Sequence, residues 1–235
     1  MKKRTTIIAN LAIAVVLVGL SVAVFSVDMG RIYTTVAAPV TIGNTANKNV
    51  SFMICVESQS DGAAVDEIMN TLALRKVSAT FFVTGSWAMR NPGRIRNMQT
   101  LGFEIANHGF SGSDMRKMNV EQKKKEILDT HTLVKGLVGV DMKLFLPPAN
   151  GYNRDLLKIS EGLGYTVVLS CCDVKSTAKD ASAASIFEKA TAKPQNGHLI
   201  LICPTQYVVD ALPSILDYCQ EKEFGVIKVS DNIAV

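Results

Sequence analysis

The chain is short of the side chains on which most metal and nucleic-acid chemistry depends. Histidine occurs three times in 235 residues, at His108, His131 and His198, so any multi-histidine metal site must draw on these. Cysteine occurs five times, an odd count in a chain too long for a disulfide scaffold, and no pair has the C-x-x-C spacing of a zinc ribbon. Clustered charge is scarce as well. The formal net charge is +4, and Lys2, Lys3 and Arg4 carry most of it. A nucleic-acid partner is excluded on that ground, because neutralising a phosphate track needs a basic face. Charged residues make up 20% and hydrophobic residues 48%, which excludes general disorder. The length suits one domain with a short appendage.

What is present begins with an uncharged apolar run from Ile7 to Val27, behind the basic Lys2-Lys3-Arg4. As a helix it would extend about 31 Å, roughly one hydrocarbon core. It is longer than the apolar region of an ordinary signal peptide, and small residues suited to cleavage near Ser26 are poorly placed. An uncleaved membrane anchor is expected, with a cleaved signal peptide as the alternative. In either case the basic end stays in the cytoplasm and the rest of the chain lies outside. The expected organisation is a cytoplasmic tail (1–6), a transmembrane helix (7–27), a linker (28–49) and a domain (50–235).

Within the domain, short apolar runs alternate with helix-period segments about seven times. Strands are expected over 50–56, 77–83, 103–106, 143–146, 165–170, 198–202 and 224–229. Helices are expected over 64–76, 87–99 with a break at Pro92, 120–137, 154–163, 184–192 and 208–221. Continuous apolar strands separated by helices call for a parallel sheet covered on both faces. Chemistry in such folds sits at the C-terminal ends of the strands. Those ends carry Glu57 and Ser58, Thr84, Asn107 and His108, Leu146 to Pro148, Asp173 and Cys203. Vicinal Cys171-Cys172 is expected to place one thiol in the core and one toward a helix. Lys123-Lys124-Lys125 is expected to be a solvated helix start, and His131 a surface residue.

Several stretches together resemble the polysaccharide deacetylase (NodB-homology) family, and its sporulation-associated branch most of all. These are Ala79-Thr80-Phe81-Phe82-Val83-Thr84-Gly85, Gly102-Phe103-Glu104-Ile105-Ala106-Asn107-His108, Leu146-Pro147-Pro148, Gly164 to Leu169, and Gly197 to Ile202. The resemblance implies a distorted (β/α) barrel, preceded here by the transmembrane helix. It implies metal-assisted removal of acetyl groups from N-acetylated sugars, with a metal held by one aspartate and two histidines. It places the catalytic base at Glu57, the acid histidine at Cys203 and the motif arginine at Leu146. The metal ligands fall on Ser58, His108 and Gly112, of which only His108 can ligate. The acidic residue after the fifth strand falls on Ser176. A shifted alignment would offer Asp61 as a carboxylate ligand, and Glu57, His108 and Cys203 together could form a nucleophilic or soft-metal arrangement. Asn107, Pro147 and Pro148 are expected at the substrate. The implied partner is cell-wall glycan, peptidoglycan or a relative of it, with no cofactor expected. The function expected is glycan binding by a non-catalytic relative. The alternative is an active N-deacetylase with an altered site, which would require zinc or another divalent metal.

Overall fold

A computed structural model describes residues 37–233. The apolar run at 7–27 lies outside them; among the described residues no helix is long and apolar enough to cross a membrane. Among the described residues eight parallel strands make one sheet. They are β1 (Asn49–Val56), β2 (Thr80–Val83), β3 (Glu104–Asn107), β4 (Leu144–Phe145), β5 (Thr166–Val167), β6 (Cys172–Asp173), β7 (His198–Ile202) and β8 (Gly225–Val226). The order across the sheet is β5-β4-β3-β2-β1-β7-β6, with β8 also pairing with the start of β1.

The sheet is curled into an incomplete barrel, and chain connectivity shows why. Laid flat, its seven-strand path would be roughly 29 Å wide. Yet the two edge strands, β5 and β6, are consecutive in sequence and joined by residues 168–171, a link that can span at most about 18 Å. Residues 40–44, expected as linker, reinforce this region. Val40 pairs in parallel with Val168, and Gly43 and Asn44 donate backbone hydrogen bonds to Gly197 and Asn232.

The strand sequences read as unbroken apolar runs because both faces of the sheet are buried, but the two faces bury against different things. Phe52, Ile54 and Val56 of β1, Phe81 and Val83 of β2, and Ile200 and Ile202 of β7 pack in the outer core under the helices. Met53, Cys55, Phe82, Ala106, Leu144, Leu146, Leu199 and Leu201 fill the smaller barrel interior. Successive side chains of a strand alternate between these two clusters.

The helices are α1 (Gly62–Leu74), α2 (Gly85–Arg90), α3 (Pro92–Thr100), α4 (Val120–Val138), α5 (Arg154–Gly162), α6 (Ala183–Thr191), α7 (Gln206–Glu221) and α8 (Val229–Ile233). Their ends are encoded locally. Asp61 caps α1, Pro92 opens α3, and Asn119 and Gln122 form a reciprocal capping box on α4 that ends at left-handed Gly139. Three expectations are corrected. The strand expected over 165–170 is cut to two residues, where the chain leaves one sheet edge for the other, and Cys172–Asp173 forms an unexpected edge strand. The last strand ends at Val226 and gives way to α8. Lys123 is not solvated with its neighbours; it is buried, its Nζ 3.4 Å from Asn153 Oδ1 at the cap of α5.

Candidate active site

Strand parity selects which of the strand-end residues face one another. Ile105 packs outward and Ala106 inward, so Asn107 points out and His108 points in. The same alternation turns Cys55, Leu146 and Cys203 inward, on the face that Glu57 continues past Val56. Cys55 had not been singled out in the sequence, although its period-two relation to Glu57 is the signal that would have found it.

His108 is the centre of the group and is 1% exposed. Its Nδ1 lies 2.6 Å from the Leu146 carbonyl, which can only accept, so Nδ1 carries a hydrogen. In the neutral ring, Nε2 is then the free lone pair. It lies 3.2 Å from Cys55 Sγ and 3.7 Å from Glu57 Oε1. With a proton on Nε2 as well, the His108 imidazolium, opposed by partial burial, holds the Glu57 carboxyl below its ordinary range, and Gln59 donates a hydrogen bond to that carboxylate. The Cys55 thiol is pushed well above its usual range, first by its hydrogen bond with Cys203 and then by burial and the nearby Glu57 charge. Cys203 itself is fixed by Ser176. The Ser176 hydroxyl donates to the Cys203 carbonyl at 2.8 Å and accepts from its N–H at 3.0 Å.

The remaining predicted site residues are placed differently. Ser58 Oγ lies 3.2 Å from Ser86 Oγ and 3.5 Å from the Ser111 carbonyl. Gly112 has φ +76° and no side chain to offer. Leu146 is 1% exposed and part of the barrel interior. Asn107, expected at the substrate, is fully buried on the helix side. It donates to the Ile127 carbonyl and Tyr165 hydroxyl and accepts from the Gly109 N–H. Pro147 and Pro148 are also buried, so none of the three expected substrate contacts lines the open cleft. Asp61 is occupied as the α1 cap. His131 is half-buried against Tyr165 and Asp141, and His198 lies at the opposite, N-terminal end of β7. Cys171 is exposed rather than in the core, while Cys172 packs toward the helices.

The cleft over this group measures about 530 Å³ and is lined by Glu57, Ser60, Ser176, Thr177, Cys203 and Tyr207, among others. Tyr207, half exposed at the start of α7, is a second residue missed in the sequence. Its place just after the C-terminal end of β7 was the available clue.

A polysaccharide deacetylase family model matches residues 47–168, which is more than half of the chain. The chain belongs to the polysaccharide deacetylase family. Protein YlxY of Bacillus subtilis is 24% identical over 193 residues, covering 82% of this chain and 60% of that protein. The peptidoglycan-N-acetylmuramic acid deacetylase PdaA of B. subtilis is 27% identical over 128 residues, covering 54% of this chain and 48% of its own. The chain thus spans about half to three-fifths of the length of these two relatives. Among solved structures, a CE4 family pseudoenzyme from Bacillus anthracis superposes with a TM-score of 0.80 at 19% identity, covering 84% of this chain and 69% of that one. A peptidoglycan N-acetylglucosamine deacetylase superposes at 0.79 with 23% identity, covering 83% and 92%. These likenesses establish the half-barrel fold. The resemblance places the family's aspartate and two histidines at Ser58, His108 and Gly112, and of these three residues only His108 carries an imidazole, so that donor set does not fit.

Proposed function

We propose that this chain is a membrane-anchored, extracytoplasmic polysaccharide-deacetylase-like protein that binds N-acetylated cell-wall glycan, such as peptidoglycan, without deacetylating it. The observation that carries the reading is the loss of every recognised group that would offset negative charge on an amide oxygen in the transition state. On the family resemblance Ser58 and Gly112 fall at two metal-ligand positions and Leu146 at that of the motif arginine, and Leu146 is an apolar side chain packed in the barrel interior. Such groups supply the largest single share of acyl-transfer catalysis. Binding needs none of them. The cleft offers a carboxylate, hydroxyls and the exposed Tyr207 ring, the mix of polar contacts and stacking surface that a sugar requires. The names of the relatives, peptidoglycan deacetylases among them, supply the glycan class. A sporulation setting belongs to the same proposal and rests on the resemblance alone.

The test is acetate release from N-acetylglucosamine oligomers and peptidoglycan, run beside a binding titration with the same ligands. Binding without acetate release is the expected result. A second reading, an active deacetylase with an altered site, is favoured by the half-buried Glu57 carboxylate beside His108. Metal-dependent acetate release that is abolished by Glu57→Gln would establish it. The anchor is tested separately: protease added to intact cells should digest residues 37–233, and protection would place them in the cytoplasm.

A further inference from the structure

We propose that Cys55, Glu57 and His108, with Cys203 as the fourth donor, form a binding site for one thiophilic divalent cation of the zinc type. The site keeps Glu57 and His108, draws its sulfur donors from the barrel interior, and goes beyond the glycan-binding reading. One ligand atom from each of Cys55, Glu57 and His108 falls within 4.8 Å of the other two. A tetrahedral ion with the usual zinc–sulfur, zinc–nitrogen and zinc–oxygen bonds needs ligand atoms about 3.4–3.6 Å apart. The observed separations from His108 Nε2, 3.2 Å to sulfur and 3.7 Å to oxygen, are within a few tenths of an ångström of that.

The imidazole is already oriented for the task. Nδ1–H is committed to the Leu146 carbonyl at 2.6 Å, which leaves the Nε2 lone pair facing the other two donors. Zinc-ligating histidines are held by this kind of second hydrogen bond. The fourth donor follows from strand register. Ile54 pairs with Ile202, so the next residues, Cys55 and Cys203, are neighbours on adjacent parallel strands with both side chains turned inward; the Cys203 thiol stands outside the three mutually close ligand atoms and closes on the ion when it binds. The Ser176 hydroxyl clamps the Cys203 backbone in that place. On binding, each thiol releases its proton to solvent and becomes a thiolate ligand. Four protein donors leave no coordination position open, so the ion would brace the strand ends rather than polarise a substrate. The donors at the family's own ligand positions number one; this set exists because Cys55 and Cys203 face the same interior.

The experiment uses the full-length protein, purified in detergent under reducing conditions, stripped with chelator and titrated with Co2+. The expected result is saturation at one equivalent, with sulfur-to-cobalt charge-transfer absorption in the near ultraviolet and the visible bands of a tetrahedral ion. Both are expected to vanish in Cys55→Ser and His108→Ala and to be unchanged in Cys171→Ser. In Cys203→Ser the charge-transfer band should fall to about half, one thiolate of two being lost. Glu57→Gln, at the cleft edge and outside the core, guards against a misfolded variant and should weaken Co2+ binding at least about tenfold while the circular dichroism stays native. A weak octahedral spectrum without a charge-transfer band, a full band in Cys55→Ser, or a Cys55–Cys203 disulfide in protein isolated without reductant would each overturn the proposal.

Discussion

Asn107 and Tyr207, near the C-terminal ends of β3 and β7, fall on opposite sides of the division between core and cleft. Asn107 sits beside His108 in sequence but across the sheet from it, and its three hydrogen bonds hold α4, the β5 entrance and the Gly109 turn together. Asn107→Leu leaves buried donors and acceptors unpaired and is expected to cost about 2–4 kcal/mol, read by urea denaturation, with glycan affinity unchanged. Tyr207→Ala should do the reverse. Losing a stacking ring at the cleft is expected to weaken glycan binding roughly two- to tenfold, with the melting temperature unaltered. Cys219 gives a pH signature. Burial in α7 pushes its thiol up to about 11 from an ordinary 9.0. Above pH 9 the unfolded chain loses this proton and the folded one keeps it. The stability it contributes is therefore complete below pH 9 and lost as pH rises through 11. Tyr165, raised by burial to about 12, extends the same trend upward. Denaturation at pH 8 through 11 should show a falling stability that is shallower in Cys219→Val.

At the scale of the element, helix ends were readable because they are decided by neighbours in the chain. The Asn119–Gln122 box and Gly139 bracket α4 as the spacing of its apolar residues foretold. Two glycines separate backbone cost from packing cost. Gly139 has φ +74° and open space where a Cβ would go, so Gly139→Ala should cost about 1 kcal/mol of left-handed strain alone. At Gly85 a Cβ would come within 2.3 Å of the Phe110 ring and 2.7 Å of Thr130 Oγ1. Gly85→Ala should therefore cost about 2–3 kcal/mol, because α2 must move off α4. Thermal denaturation of the pair would reveal the difference; equal losses would contradict this packing account.

For the molecule as a whole, the barrel interior is both a core and the floor of the site, so chemistry cannot be restored there without a packing penalty. A variant carrying Ser58→Asp, Gly112→His, Leu146→Arg and Cys203→His returns the family's groups. Leu146→Arg, however, places a charge in the cluster of Met53, Cys55, Phe82 and Val168, and is expected to cost more than about 3 kcal/mol. Gly112→His adds about 1 kcal/mol of strain at φ +76°. Denaturation of the fourfold variant against the same variant with Leu146 retained would test this, and equal stability would refute it. The sequence by itself determined the alternation of strands and helices, the helix caps and the family, because these depend on local periodicity, turn chemistry and short ordered motifs. The resemblance also set Ser58, Gly112 and Leu146 where the family's pattern has other residues. The sequence did not reveal that residues 40–44 join the sheet, that Asn107 turns outward, or that Cys55 meets His108 and Cys203. Both faces of these strands are apolar, so the pattern alone does not mark the inner face. Only the curl of the sheet, set by pairings that include those of β1 with β7 and β8 across more than a hundred positions, decides which side chains converge.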